Sequence, residues 1–261
     1  MKIILTEFIN LMDRRYKAIL IQFFLIISIS LTAQKFNADI IYDAYINNKY
    51  NVWKDVCDEM QKNKNKSNDF LFSLINIEYG YIAHCISTSN NIEALKHLDF
   101  TEKKLQEIEL TYNHPSLIKS YKSALLSFRA SLDNKTAIKS ALKGLEFADK
   151  AIKEDSANYF GFLQRGNIYR YSPAAFNGSK NKAILHYLKA ESLLKKEISS
   201  KKNWNYMDLL VTITNTYIEI KDLKGATEYR DKILKIEPNF IFAKVTLTEK
   251  IEKLKTIKNK N

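Results

Sequence analysis

Few side chains in this sequence fall into a pattern that could carry out chemistry. The four histidines, His84, His97, His114 and His186, show no metal-ligand spacing with one another or with the two cysteines. No HExxH, CxxC, phosphate-binding loop or nucleophile elbow occurs in the sequence. We interpret each histidine as a surface or turn residue, and we predict no catalytic residue, no metal site and no cofactor.

Glu78 stands out among the acids because of the apolar residues around it. On a helix running from Phe70 to Ser87 it lies on the face opposite Gly80, where an unpaired carboxylate is costly to bury. Two interpretations remain open. Glu78 could be a catalytic or ligand-binding acid, or it could accept a hydrogen bond from the indole of Trp53, which a helical hairpin places at its level.

The two cysteines, Cys57 and Cys85, are predicted to be free and buried. Their helices should pair antiparallel about a turn near Asn65, which leaves Cys85 about eleven residues beyond the level of Cys57. At about 1.5 Å per residue the gap is about 16 Å, which a disulfide cannot bridge.

Composition favours an all-α protein that does not bind nucleic acid. The chain has 261 residues, only 6 Gly and 3 Pro, and a formal net charge of +12, so turn-rich sandwiches and barrels are disfavoured. Only six of its 41 basic residues are arginine, whereas nucleic-acid recognition relies on arginine forks. We interpret the charge as a lysine-rich solvated surface.

The first 33 residues have the three parts of a secretory signal. A charged patch ends at Lys17, an apolar run follows over residues 18–31, and the small Ala33 precedes Gln34. Because the run is shorter than the roughly 20 residues that a membrane helix needs, we expect cleavage after Ala33 and no stable membrane insertion afterwards. An uncleaved signal anchor is the alternative, and Met12 is an alternative start.

Periodic apolar residues between short polar turns predict about ten helices after this segment. Pro115 fits the first turn of one of them, where its missing N–H costs nothing. The predicted ranges are 39–48, 50–62, 70–87, 91–109, 115–132, 136–153 and 240–255, with two further helix pairs between 158 and 240.

The stretch from Asn158 to Phe240 has the spacing of a known repeat. Tyr217 is followed nine residues later by the small Ala226, and twelve further on by Pro238. An aromatic residue on the first helix, a small residue where the second helix crosses it, and a closing proline are marks of the tetratricopeptide repeat (TPR), which this stretch resembles.

The preceding helix pair has the same pattern with a five-residue insertion in its turn. Its residues are Gly166 and Tyr169 on the first helix, then Ala183, Tyr187 and Ala190 on the second. The resemblance covers roughly the last 120 residues and implies an all-α, right-handed superhelix of antiparallel helix pairs. We predict a signal peptide over 1–33, then one solenoid, with divergent hairpins over 34–132 and repeats, a capping helix and a basic tail over 133–261.

Three fragments are also similar to secreted TPR family proteins of an uncharacterised subfamily in Gram-negative bacteria. They are AYINNKYNVW, EYGYIAH and SPAAFNGSKNKAI. This likeness implies export and helical repeats, and it implies no activity.

Residues 171–179 form the insertion between the helices of the repeat that starts at Tyr159. Gly178 is predicted to adopt a positive φ, and Ser179 to cap the following helix. Phe176 is predicted to pack back on the hairpin as a structural plug. The alternative is a recognition loop, because long insertions in repeats tend to lie on binding faces.

In a TPR the first helix of each unit lines a concave groove with its second, fifth, ninth, twelfth and thirteenth residues. With units starting at Tyr159 and Met207, these are Phe160, Leu163, Asn167, Arg170 and Tyr171, then Asp208, Val211, Asn215, Ile218 and Glu219. The two asparagines could pair with an extended peptide backbone, or they could satisfy neighbouring helix backbones. Some TPR proteins are clamps that bind a terminal carboxylate with a lysine at the fifth position. This sequence has Leu163 and Val211 there, so the resemblance to those clamps does not extend to carboxylate binding.

The resemblance implies a binding scaffold rather than an enzyme. We predict an exported protein, periplasmic or secreted, that holds a peptide segment or partner protein in the groove. The partner-binding candidates are Asn167, Arg170, Tyr171, Asn215 and Glu219. The alternative is a solute- or glycan-binding accessory protein of an uptake system, and an enzyme is the third class.

Overall fold

Eleven α-helices make up most of the chain that the computed structural model describes, which is residues 38–64, 67–197 and 202–258. No strand occurs within these ranges. The protein is therefore all-α, as its composition predicted. The predicted signal segment, with Met12 and the site after Ala33, lies outside the described residues.

The helices are numbered here in chain order, and α1 covers residues 38–46. The others are α2 (Tyr50–Lys62), α3 (Asn68–Ser87), α4 (Asn91–Ile108), α5 (Pro115–Leu132), α6 (Ala137–Glu154), α7 (Tyr159–Tyr171), α8 (Lys180–Glu197), α9 (Trp204–Glu219), α10 (Leu223–Ile236) and α11 (Thr248–Lys258). A 3-10 turn at Ala174–Phe176 precedes α8, and a π-helical segment at Ala243–Leu247 leads into α11. None of the described helices is long and apolar enough to span a bilayer.

Short polar side chains begin several helices by accepting hydrogen bonds from otherwise unpaired backbone N–H groups. Ser67 accepts from Phe70 at the start of α3, and Asp222 accepts from Gly225 at the start of α10. Asn158 and Asn203 do the same for α7 and α9. Because the turns between paired helices are short, each pair runs antiparallel.

Small residues allow paired helices to approach closely. A Cβ added at Gly166 on α7 would lie 2.5 Å from the ring of Tyr187 on α8. Ala183 and Ala190 flank that ring and are fully buried. In the next pair, a Cβ at Gly225 would lie 2.6 Å from the ring of Tyr217. Large and small side chains thus interlock in both pairs.

Helix α1 packs against residues near the other end of the chain. The ring of Tyr45 lies 5.2 Å from that of Phe240, 6.1 Å from that of Trp53 and 6.4 Å from that of Trp204. Trp204, at the start of α9, also meets Trp53 at 4.9 Å. These described helices belong to one compact unit, Ile40–Asn261, and share one core.

Candidate functional site

The face of α7 and α9 that the repeat register assigns to a groove is partly covered by the chain itself. Phe160, Leu163 and Val211 are buried. The ring of Tyr79, on α3, meets that of Phe160 edge to face at 5.2 Å, and the Gln164 amide donates to the Tyr79 hydroxyl at 3.4 Å. The side chain of Tyr79 therefore covers part of the predicted groove face.

The two asparagines of the predicted groove have partners inside the chain. Asn167 Oδ1 accepts from the Tyr187 hydroxyl at 2.8 Å, and its Nδ2 donates to Gln164 at 3.3 Å. Asn215 donates to the Val211 carbonyl at 3.2 Å and accepts from the Lys250 ammonium at 3.0 Å. Both amides therefore have partners within the chain, but the second interpretation, pairing with neighbouring helix backbones, fits only the bond from Asn215 to Val211, since both partners of Asn167 are side chains.

Three groove candidates, Arg170, Tyr171 and Glu219, lie together at the upper end of this face. The Arg170 guanidinium binds Glu219 through two nitrogens, at 2.6 and 3.4 Å, and is stacked 4.9 Å from the Tyr171 ring centroid. Lys180 adds a second cation 3.7 Å from Glu219. The Tyr171 side chain remains 69% exposed. We call Arg170, Tyr171 and Glu219 the rim.

The insertion beside the rim is held by its own backbone. Ser179 N–H donates to Tyr169 carbonyl oxygen at 2.7 Å, and the N–H groups of Phe176 and Gly178 both donate to Pro173. Asn177, rather than Gly178, adopts the left-handed conformation, with φ of 63°. The prediction of a positive φ at Gly178 is therefore wrong.

Glycine is nevertheless required at position 178, because a Cβ there would lie 1.8 Å from the carbonyl oxygen of Ser172. Ser179 caps the following helix as predicted, by accepting from the Lys182 N–H at 3.3 Å. The side chain of Phe176 is 57% exposed, so the prediction that it plugs the hairpin is wrong. A loop closed by backbone hydrogen bonds instead presents this ring to solvent.

Asp208, at the second groove position of its unit, lies deeper on the same face. Its Oδ1 accepts a hydrogen bond from the Tyr45 hydroxyl at 3.0 Å. Burial raises the pKa of Asp208, and the Tyr45 hydrogen bond and Arg170 charge offset only part of that effect. Sequence reasoning placed Asp208 in the groove but did not single it out, because its partner Tyr45 comes from a helix 163 residues away.

Several tyrosines lie within electrostatic reach of Asp208. Burial raises the pKa of Tyr50 to about 12, and the charge of Asp208 adds to that rise. Burial is also the largest cause of the raised pKa values of Tyr45, Tyr79 and Tyr171. The charge of Asp208 adds to the rise at each of them. We call Tyr45, Tyr50, Tyr79 and Tyr171 the tyrosine cluster.

The other buried acid, Glu78, sits in a complete network on α2, α3 and α4. Its Oε2 lies 2.6 Å from His97 Nδ1, and its Oε1 accepts from Gln61 at 2.8 Å. The second ring nitrogen of His97 lies 3.2 Å from Glu93. The Trp53 indole donates to the Ile77 carbonyl instead, so the predicted Trp53–Glu78 bond is wrong.

His97 is fully buried, which contradicts its interpretation as a surface or turn residue. Burial lowers the pKa of His97, but the hydrogen bonds and charges of Glu78 and Glu93 outweigh burial and raise it. His84 is half-buried and stacked 3.5 Å from the Tyr50 ring, and His114 is exposed. Cys57 and Cys85 are free and buried, as predicted.

A cleft of about 360 Å³ opens between α4, α5 and α6. Phe147 forms part of its wall, with the Lys122 and Lys143 ammonium groups 5.3 and 6.0 Å from the ring centroid. Glu109 binds Lys122 and Glu102 binds Arg129 at its edge. Because most of its charges have partners within the chain, we assign no ligand to this cleft.

Within the described ranges, no three His, Cys, Asp or Glu side chains are arranged to hold a metal ion. Searches against models of known protein families and against curated proteins found no match to this chain. The case for a function therefore rests on the geometry of the rim, the insertion and Asp208.

Proposed function

We propose that this protein is an exported TPR-like scaffold that binds a peptide segment of a partner protein across the rim and the insertion. The resemblance of residues 158–240 to the TPR supports the class, and the signal-like residues 1–33 support export. The observation that carries the binding proposal is the exposure of Tyr171 and Phe176 on one hydrogen-bonded loop and its adjoining helix end.

Exposed aromatic rings on a rigid support suit protein recognition. They supply a large apolar contact area, and their backbone is already ordered, so binding costs little conformational entropy. Aromatic and arginine side chains also dominate the energetics of protein interfaces. Here the arginine is Arg170, whose charge Glu219 and the Tyr171 ring hold in place.

Recognition through the amides of Asn167 and Asn215 contributes less in this proposal. Each amide oxygen already accepts a hydrogen bond from a side chain of the chain itself. A peptide backbone would have to share or displace those bonds. We therefore expect Tyr171 and Phe176 to contribute more to affinity than the two asparagines do.

The test is site-specific photo-crosslinking in intact cells with a benzoylphenylalanine at position 176. The matched control carries the same crosslinker at Leu110, which is 95% exposed on the turn after α4. We expect a partner adduct that forms from position 176 and not from position 110. The same set of adducts from both positions would contradict a specific site.

Affinity for the captured partner is then measured with Tyr171→Ser/Phe176→Ser and with Ile92→Ser/Leu110→Ser. Both double variants remove two exposed apolar side chains. We expect the first to weaken the Kd by at least about tenfold, since interface hot spots contribute about 2 kcal/mol or more, and the second to leave it unchanged. Equal Kd values for wild type and the first variant would overturn the proposal.

A further inference from the structure

Asp208 is a sheltered acid without a cationic partner. It is partly exposed, and no Lys, Arg or His nitrogen among the described residues lies within 4.0 Å of its carboxylate. Two buried acids each have one: Glu78 meets His97, and Glu191 meets Lys232. Among the described residues, Asp208 meets the hydroxyl of Tyr45 and no cation.

The charge of Arg170 acts on Asp208 through space, but its guanidinium forms its ion pair with Glu219 at 2.6 Å. A sheltered carboxylate without a cation is unfavourable in the folded chain. A ligand that brings the missing positive charge would therefore be bound more tightly here than at an exposed acid.

We propose that Asp208 binds the side chain of a lysine or arginine in the partner peptide. The Tyr45 hydroxyl donates to one oxygen of the carboxylate, Oδ1, and an ammonium or guanidinium group can form a charge-assisted hydrogen bond with the carboxylate beside it. Asp208 and the rim residue Glu219 lie eleven residues apart on one face of α9, about 16 Å along the helix, so a peptide that contacts the rim can extend a basic side chain toward Asp208. This inference rests on the proposed function and specifies the class of peptide bound.

The test compares two synthetic peptides, acetyl-Gly-Leu-Xaa-Leu-Gly-amide with lysine or with norleucine at Xaa, which differ only in the ammonium group. Wild-type protein should bind the lysine peptide at least about tenfold more tightly, as a charge-assisted contact predicts. Asp208→Asn should abolish that preference, because it keeps the shape and the acceptor for Tyr45 but removes the charge. Asp55→Asn, at an exposed position on α2, makes the same change in net charge and should preserve the preference for the lysine peptide.

n-Butylammonium chloride, titrated into the protein and followed by the NMR signals of the Trp204 and Trp53 indoles, separates this inference from the proposed function. Saturable binding to wild type that is lost in Asp208→Asn supports the cation site even if neither peptide binds, and the crosslinking and Kd measurements described above decide the peptide-binding proposal separately. An unchanged lysine preference in Asp208→Asn overturns the cation site while leaving peptide binding intact. If wild-type protein binds neither the lysine peptide nor n-butylammonium, the cation site is also overturned.

Discussion

Glu78 and Asp208 are both sheltered acids, and the chain surrounds them differently. Glu78 has a partner on each carboxylate oxygen, His97 on one and Gln61 on the other. Asp208 has one neutral donor and no cation. We interpret Glu78, which has a complete set of partners, as an acid that stabilises the fold, and Asp208 as the proposed site for a cation.

The difference follows from where each acid lies in the helix packing. Glu78 is fully buried between α2 and α4, so any missing partner would cost the full desolvation of a charge. Asp208 retains some exposure on the face that α1 and α3 only partly cover. Water can compensate for a missing partner there until a ligand displaces it.

The largest effect is expected from Glu78→Ala. Removing one member of a buried charged pair leaves His97 without its counter-charge, which typically costs about 3–5 kcal/mol. Urea unfolding at pH 7 should show this loss in the free energy of unfolding. Glu78→Gln keeps the shape and part of the hydrogen bonding, so its loss should be smaller.

A loss of less than about 1 kcal/mol in Glu78→Ala would show that the network is not structural, and Glu78 would again be a candidate ligand-binding acid. Loss of partner binding in Glu78→Gln without loss of stability would lead to the same conclusion. Either result would remove the contrast with Asp208.

A smaller effect is expected from the pH dependence that His97 imposes on stability. The folded protein holds a proton on His97 more tightly than the unfolded chain, in which histidine titrates near pH 6.5. The network therefore stabilises the fold fully below about pH 6.5 and loses that contribution as pH rises through the raised pKa of the folded state.

Urea unfolding between pH 6 and 8.5 should therefore show a free energy of unfolding that decreases with pH, and His97→Gln should flatten the decrease. His84 and His186 have pKa values lowered by burial, so their contributions have the opposite sign. A profile for His97→Gln with the same slope as wild type would show that His97 is not the group responsible.

Local pattern predicted the bounds of several helices, most clearly where apolar residues recur at the helical period, as in α2. The predicted range of α2 is the observed one, and α4 differs by one residue. The spacing identified Gly166 and Tyr187 as pattern positions on paired helices, and the structure shows that these two residues oppose each other. The free, buried cysteines followed from the hairpin geometry.

Contacts between distant helices could not be predicted in the same way. The pairing of Glu78 with His97 depends on how α4 packs against α3, and the Trp53 indole on α2 donates to the backbone carbonyl of Ile77 rather than to the Glu78 side chain. The covering of Phe160 by Tyr79 depends on how α3 packs against α7. An open groove was predicted because the repeat register contains no information about the hairpins that precede it.

The insertion shows how a correct conclusion can rest on a wrong local assignment. Glycine is needed at position 178, but the reason is the carbonyl of Ser172, and the left-handed residue is Asn177. Asparagine is the non-glycine residue that most readily adopts this conformation, so the sequence Asn-Gly allowed either assignment.

The smallest effect on stability is expected from Asp208→Asn. Whether this variant gains or loses stability distinguishes Asp208 from Glu78. Because burial raises the pKa of Asp208, the folded state disfavours its charge at neutral pH, and removing the charge should leave stability unchanged or increase it by up to about 1 kcal/mol. Urea unfolding at pH 7, with Asp55→Asn as the control for net charge, measures this. A loss comparable to that of Glu78→Ala would place Asp208 among the structural acids. A gain in stability together with a loss of lysine-peptide binding would show that the fold tolerates an unfavourable charge because a ligand uses it.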